Sequence, residues 1–106
     1  MINASIYVTA DGRLLGFRIK GHSGYAEQGS DIVCAAVSSA AIMTANTITD
    51  VMNLQCEVTA DDGDMTLRIF QRDAAVCSDI LSGFKLHMLQ LEEQYSKYIN
   101  VNYTEV

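Results

Sequence analysis

The sequence of 106 residues lacks proline, has few basic residues and contains no pair of cysteines at C-x-x-C spacing. Hydrophobic residues make up 49% of the chain and charged residues 19%, which excludes intrinsic disorder and collagen-like or proline-rich designs. Seven Lys and Arg against thirteen Asp and Glu give a net charge of -6, which argues against a nucleic-acid partner. The length is typical of one domain, so a single domain over residues 1–106 is predicted.

We expect no apolar run as long as the ~18 residues that a membrane span needs. At the N-terminus, apolar and polar residues alternate, whereas the core of a signal peptide is uniformly apolar. We therefore expect a cytoplasmic protein without membrane contact. Three cysteines are an odd number in such a chain, so a disulfide framework is not expected. Cys56 and Cys77 fall on apolar positions and are expected to be packing residues. His22 and His87 lie far apart, so neither a metal site nor another cofactor is expected.

Alternating apolar residues and turn dipeptides predict two β-hairpins. Residues 2–10 alternate with the period of a half-buried strand, and Asp11-Gly12 favours a tight turn before a second strand at 15–19. The same arrangement recurs over residues 54–69 around an acidic turn at 61–64. This turn lacks the closing glutamate of a calcium loop, so it is interpreted as a solvated turn.

Helical spacing follows each hairpin. The first helix is predicted over about residues 32–53, capped by Ser30 or Asp31, and its many small residues favour close packing against a sheet. The second is predicted over about residues 73–98, followed by a short strand at 101–103. The order ββαββαβ indicates an α+β domain with two helices packed on a mostly antiparallel or mixed sheet.

Cys34 is the first candidate for chemistry. With Asp31 as the helix cap, Cys34 lies in the first turn, where free N–H groups and the helix dipole favour a thiolate. His22 lies in the glycine-rich loop before the helix, and an imidazole there can take and return the thiol proton. The alternatives are that Cys34 packs under the sheet and that His22 is an exposed loop residue without a role.

Three further groups are candidates to support this pair. Asp31 either orients His22 as a third catalytic residue or only caps the helix. Ser38 lies one turn beyond Cys34 on the same face, where its hydroxyl either bonds to the thiolate or packs among alanines. The backbone N–H groups near Val33 and Cys34 are candidates for an oxyanion hole.

The loop over residues 21–31 is predicted to receive the substrate, and its candidate contact residues are Gly21, Gly24, Tyr25 and Gly29. It has three glycines and no evident core anchor, so we expect it to be mobile without ligand. In that state His22 is expected beyond hydrogen-bond reach of Cys34. A substrate bound beside Tyr25 is then expected to close the loop over the pair, and the alternative is a loop that is always closed with the pair preformed.

The dipeptide Gly21-His22, followed after eight residues by the run DIVCAAVS at 31–38, resembles the ribosomal-processing cysteine protease Prp family. The resemblance extends over the whole chain. It implies a bacterial cysteine endopeptidase that removes a short N-terminal extension, ending in apolar and aromatic residues, from the large-subunit ribosomal protein numbered twenty-seven. It further implies that Cys34 is the nucleophile, that His22 is the base and that the enzyme is a homodimer.

Two functions are therefore weighed for this chain. The first is the cysteine protease, and the second is a non-catalytic ribosome-assembly protein that binds a ribosomal protein through the 21–31 loop. In the second case Cys34 is a packing residue and His22 a contact. A thiol-redox function ranks last, because no resolving cysteine lies near Cys34.

Overall fold

The computed structural model describes residues 1–27 and 29–106 of the chain. Its elements are β1 (Ile2–Val8), β2 (Leu14–Lys20), α1 (Ile32–Asn46), β3 (Glu57–Asp61), β4 (Asp64–Arg68), α2 (Ser78–Gln94) and β5 (Ile99–Glu105). The helix α1 continues into a π-helical turn at Thr47–Val51, and a 3-10 turn at Gln71–Asp73 precedes α2. The predicted order ββαββαβ is confirmed.

The five strands form one mixed sheet in the order β3-β4-β2-β1-β5. The central strand β1 pairs antiparallel with β2 and parallel with β5, so Ile6 has Phe17 on one side and Tyr103 on the other. The strands β2, β4 and β3 are joined by antiparallel pairing. Since β3 pairs with β4 on one side only, it is an edge strand, and it borders the site described below.

Both helices pack on one face of this sheet. Phe17 of β2 stacks on Phe84 of α2 with their ring centroids 4.1 Å apart. From α1, Val33, Val37 and Ala41 are almost fully buried in the same core. The remaining sheet residues of this core are Ile2, Ala4, Ile6, Leu15, Ile19, Leu67 and Ile99. The alternation of apolar residues in the first hairpin therefore corresponds to one face of a real sheet, as its period predicted.

Three predicted elements have wrong boundaries. The strand expected from residue 54 begins at Glu57, because Leu54 donates its N–H to the carbonyl of Ile48 at the end of the first helical stretch. The second helix is shorter than predicted, with turns at residues 74–77 and 95–98 where apolar spacing continued the helical pattern. The last strand is longer than predicted, because its backbone pairs with β1 over seven residues, including those whose side chains show no alternating pattern.

The stretch Ile32–Val51 is long and apolar enough to cross a membrane by length and composition alone, with a mean hydropathy of 1.6. This corrects the expectation that no such run exists, because serines and threonines among the alanines conceal its apolar average. Inside the fold, Val33, Val37, Ala41 and Ile48 of this stretch are almost inaccessible to solvent. A core helix of a globular domain has the same composition, so the stretch is weak evidence for a membrane span.

Candidate active site

A cleft with a cavity volume of about 690 Å³ opens between α1 and the β3–β4 hairpin. Cys34 lies on the helical wall of this cleft, and His22 lies at its border beside the hairpin turn. The two residues are twelve positions apart in sequence. The fold therefore brings the predicted thiol and the predicted imidazole to one cavity.

The opposite wall of the cleft is apolar and was not anticipated. It is formed by Val58 and Ala60 of β3 together with Met65 of β4, and Ile42 of α1 faces the same cavity. Alternation in this hairpin indicated a buried strand face, but Val58 is 40% exposed. The reason is tertiary, because β3 lies at the edge of the sheet and all five of its residues are exposed beside the open cleft.

Asp31 caps the helix that carries the thiol. Its Oδ1 accepts the backbone N–H groups of Val33 and Cys34, both at 3.0 Å, and Ser23 Oγ donates to its Oδ2. Burial alone would raise the pKa of Asp31, but the hydrogen bonds from Ser23 and Cys34 outweigh it and lower the pKa to about 2. Asp31 is therefore a carboxylate near neutral pH, and it satisfies the start of α1.

The same hydrogen bonds correct the predicted oxyanion hole. The N–H groups of Val33 and Cys34 both donate to the Asp31 side chain, and the Ala35 N–H donates to the Asp31 carbonyl at 3.0 Å. Sequence pattern places these groups at a helix start, yet the cap already uses them. Within residues 1–27 and 29–106, no hydrogen bond joins Asp31 to the His22 ring, so the geometry supports the cap rather than a third catalytic residue.

Ser23 is the site residue that the sequence reasoning missed. Its backbone N–H donates to the Sγ atom of Cys34, with 3.3 Å between nitrogen and sulfur, while its hydroxyl bonds to Asp31. The side chain is only 4% exposed. No periodicity marks an isolated buried serine, and its position next to His22 was the sole available signal. Ser38 also lines the cleft, but in the described part of the chain its hydroxyl makes no bond to Cys34.

His22 rests against the turn between β3 and β4. A Cβ atom added to Gly63 would lie 2.7 Å from Nε2 of His22, so the ring occupies space that only glycine leaves free. The N–H of Gly21 donates to the carbonyl of Gly63 at 2.8 Å, which ties the loop to the same turn. Among the residues that the structure describes, the His22 ring has no hydrogen bond to Cys34.

The acidic turn is held in place by an ion pair. Arg18 of β2 contacts Asp64 through two nitrogens, at 3.0 and 2.7 Å. This contact lowers the pKa of Asp64, because the guanidinium donates hydrogen bonds to the carboxylate. The segment that was interpreted as a solvated turn therefore also contacts the His22 ring through Gly63. Asp61 and Asp62 of the same turn lie at the cleft border.

The described part of the 21–31 loop has anchors, contrary to the expectation of none. Ser23 is buried against the helix cap, and the Tyr25 N–H donates to its hydroxyl at 3.0 Å. The Tyr25 ring packs edge-on against Tyr95 and Tyr98, with centroids 6.2 and 5.2 Å away. Tyr25 therefore faces the end of α2 and does not line the cleft, and its contact with substrate stays a prediction.

Three loop glycines that were predicted to contact substrate lie at the border of the cleft: Gly21, Gly24 and Gly29. A side chain at Gly21 would collide with the backbone carbonyl of Met1. Absence of a side chain is thus required there for the loop to pass close to the first strand.

The three thiols differ in their surroundings, and all three are free. Cys77 is buried and Cys56 half-buried outside the cleft, and burial raises the pKa of both thiols, with the Asp73 carboxylate adding to the rise. Limiting iodoacetamide near neutral pH is expected to alkylate Cys34 first, because a raised pKa leaves less thiolate on the other two. Peptide mass spectrometry measures the order, with urea-unfolded protein as the control in which the three react alike. Earlier reaction of Cys56 or Cys77 would contradict this assignment.

Comparison with known proteins decides the family. The sequence profile of the family described as "Cysteine protease Prp" matches residues 1–100. The chain belongs to the cysteine protease Prp family. It is 28% identical over 105 residues to the ribosomal processing cysteine protease Prp of Staphylococcus aureus strain NCTC 8325, covering 97% of this chain and 99% of that relative.

Crystal structures of relatives agree with this assignment. The essential ribosomal processing protease Prp from S. aureus, in complex with a covalently linked product peptide, matches with a TM-score of 0.89 at 27% identity. That match covers 98% of this chain and 100% of the relative. The S. aureus complex with a substrate peptide matches at 0.84 and 26% identity, covering 98% and 100% of the two chains. A Streptococcus mutans protein matches at 0.83 and 25%, covering 100% and 96%.

This Prp-family chain is therefore a cysteine protease of the ribosomal-processing type. The predicted enzyme class and α+β fold are confirmed. The non-catalytic alternative loses its support, because the family is defined by proteolysis.

Proposed function

We propose that this chain is the endopeptidase that removes the N-terminal extension of the bacterial large-subunit ribosomal protein numbered twenty-seven, with Cys34 as nucleophile and His22 as base. One observation supports this most. Cys34 stands half-buried in the first turn of α1, on the wall of the cleft that His22 also borders. A thiol nucleophile and an imidazole base that line the same cavity are the groups that nucleophilic peptide hydrolysis needs.

The proposed reaction has two stages. In the first, Cys34 Sγ attacks the scissile carbonyl carbon while His22 takes the thiol proton and then delivers it to the leaving amine, so the C–N bond breaks. In the second, His22 accepts a proton from water and the hydroxide attacks the thioester carbon. The C–S bond then breaks, His22 returns its proton to the sulfur, and the released carboxylic acid ionises in solvent. Since His22 rests on Gly63 in the free protein, its ring turns toward Cys34 when substrate occupies the cleft.

The cleft suits an apolar chain end attached to a basic protein. Its strand wall and helix wall present Val58, Ala60, Met65, Ile42 and Ala45. Burial of large apolar side chains against this lining favours binding by about 25 cal/mol per Å². Three carboxylates border the end near His22, those of Asp61, Asp62 and Asp64. Together with the net charge of -6, they attract a basic substrate.

The proposal includes a cytoplasmic homodimer that contacts neither nucleic acid nor membrane. The resemblance to the Prp family supports the dimer, and the negative charge supports the absence of nucleic-acid contact. Light scattering coupled to size exclusion, at several protein concentrations, is expected to give the mass of two chains.

The proposed activity is tested with purified protein and the extended ribosomal protein from the same genome. We expect two products whose masses sum to the substrate plus one water, separated after the apolar and aromatic stretch of the extension. The matched control is the same ribosomal protein with that stretch replaced by serines, which is expected to stay intact. An unprocessed substrate after prolonged incubation would contradict the proposal.

The contact between the His22 ring and Gly63 leads to a prediction with a smaller expected effect. Gly63→Ala is expected to lower kcat/KM by about tenfold or more, because the new Cβ would lie 2.7 Å from Nε2 and displace the ring. Gly12→Ala is the matched control. Both glycines have left-handed φ angles, +69° and +88°, so both substitutions strain the backbone by about 1 kcal/mol, yet nothing lies within 4 Å of Gly12. Equal activity of the two variants, at equal melting temperature, would show that Gly63 does not position His22.

A further inference from the structure

The thiol of Cys34 receives its hydrogen bond from the loop and not from its own helix. The first-turn N–H groups of Val33 and Cys34 are taken by the Asp31 carboxylate. Within the described residues, the backbone N–H that reaches Cys34 Sγ is that of Ser23, at 3.3 Å. A donor at this position favours a negatively charged sulfur, because hydrogen bonds to charged groups are the stronger ones.

The place of this N–H is set by the serine side chain. Ser23 Oγ donates to Asp31 Oδ2 and accepts the N–H of Tyr25 at 3.0 Å. The residue is 4% exposed, so little solvent competes for these bonds. One serine thus contacts the thiol through its backbone and the helix cap through its hydroxyl.

We propose that Ser23 is a positioning residue, whose hydroxyl bond to Asp31 holds its own N–H against Cys34 and thereby stabilises the thiolate of the free enzyme. The proposal rests on the proposed role of Cys34 as nucleophile. It also gives Asp31 a part in the reaction that needs no contact with His22, because the carboxylate both caps α1 and holds the donor.

Other titratable or charged groups lie near the same sulfur and have to stay constant in a test. They are His22 in the loop, Asp31 at the helix start, and Asp61, Asp62 and Asp64 across the cleft. A substitution at Ser23 changes none of these charges. Alanine there keeps the backbone N–H and removes only the hydroxyl that fixes its place.

The test compares Ser23→Ala with Ser30→Ala, an exposed serine of the same loop. Near neutral pH, Ser23→Ala is expected to slow alkylation of Cys34 by iodoacetamide about tenfold, the size of one hydrogen bond to a charged group. At about pH 10, where free thiols are ionised, its rate is expected to equal that of the wild type. Ser30→Ala is expected to match the wild type at both pH values. A Ser23→Ala rate equal to the wild type near neutral pH, or reduced equally at both pH values, overturns the proposal.

A second measurement does not depend on the folding of Ser23→Ala. The Ser23 amide hydrogen of the wild type is expected to be protected from exchange by the Cys34 sulfur, and Cys34→Ala is expected to remove that protection. An unprotected Ser23 amide in the wild type, or protection unchanged in Cys34→Ala, overturns the proposal. Ser23→Thr keeps the hydroxyl and is expected to restore most of the alkylation rate.

These readouts separate the inference from the proposed function. Alkylation and amide exchange are measured without peptide substrate, whereas cleavage of the ribosomal protein by the wild type tests the proposed function. Cleavage by the wild type together with unchanged Cys34 reactivity in Ser23→Ala defeats only the role of Ser23. A reactive, Ser23-dependent thiol in a protein that leaves the ribosomal protein intact defeats only the substrate assignment.

Discussion

Cys34→Ala is expected to lower kcat/KM for the extended ribosomal protein by about 10³-fold or more, because removing a covalent nucleophile eliminates the acyl-enzyme route. The variant is expected to stay folded. Cys34 is half-buried at the edge of the cleft, and alanine removes one sulfur atom without opening a cavity inside the core. Product masses over time measure the first effect, and thermal unfolding followed by circular dichroism measures the second.

The matched control for this variant is Cys56→Ala, which removes a half-buried thiol outside the cleft. It is expected to keep the wild-type rate of cleavage. Full peptidase activity in Cys34→Ala would end the assignment of Cys34 as nucleophile. A loss of folding in Cys34→Ala is separated from a loss of chemistry by Cys34→Ser, which retains a hydroxyl of similar size but nucleophilicity far below that of a thiolate.

His22→Ala is expected to reduce kcat by about 10²- to 10⁴-fold, the usual contribution of a positioned acid and base. The substitution leaves the apolar wall of the cleft intact, because this wall comes from β3, β4 and α1. KM is therefore expected to change much less than kcat. His87→Ala is the control, because His87 is exposed on α2 and outside the cleft. Added imidazole is expected to restore part of the activity of His22→Ala and none to Cys34→Ala.

An unchanged kcat in His22→Ala would assign the base to another group. The result would also bear on Gly63, since the proposed effect of Gly63→Ala acts through the imidazole. The double variant His22→Ala with Gly63→Ala is therefore expected to be no slower than His22→Ala alone, as coupled residues are not additive.

Several features of the site were accessible from the sequence because they depend on local physics. Asp31 precedes a helical pattern, and a carboxylate at that place accepts the first free N–H groups, which puts Cys34 in the first turn. Alternation over residues 2–10 identified a strand with one buried face, and the structure confirms it. The pairing of His22 with the helix came from the motif and from its resemblance to the Prp family, since spacing alone leaves a long loop free to lie elsewhere.

Other features were wrong or missed because they depend on distant parts of the chain. The oxyanion prediction failed because helix starts expose N–H groups in general, whereas here the side chain of Asp31 uses them. The packing of Tyr25 was missed because its ring contacts Tyr95 and Tyr98, seventy or more residues away in sequence.

The sequence by itself thus determined the elements, their order, the capped start of the first helix and the thiol in its first turn. These follow from residue propensities and from periodicity within a few neighbouring positions. Only the tertiary structure decided that Gly63 supports His22, that β3 forms the apolar wall and that Ser23 joins the thiol to Asp31. Each of these contacts depends on how the loop, the helix and the hairpin pack against one another. The burial of a single polar residue and the exposure of an edge strand produce no periodic pattern in the sequence.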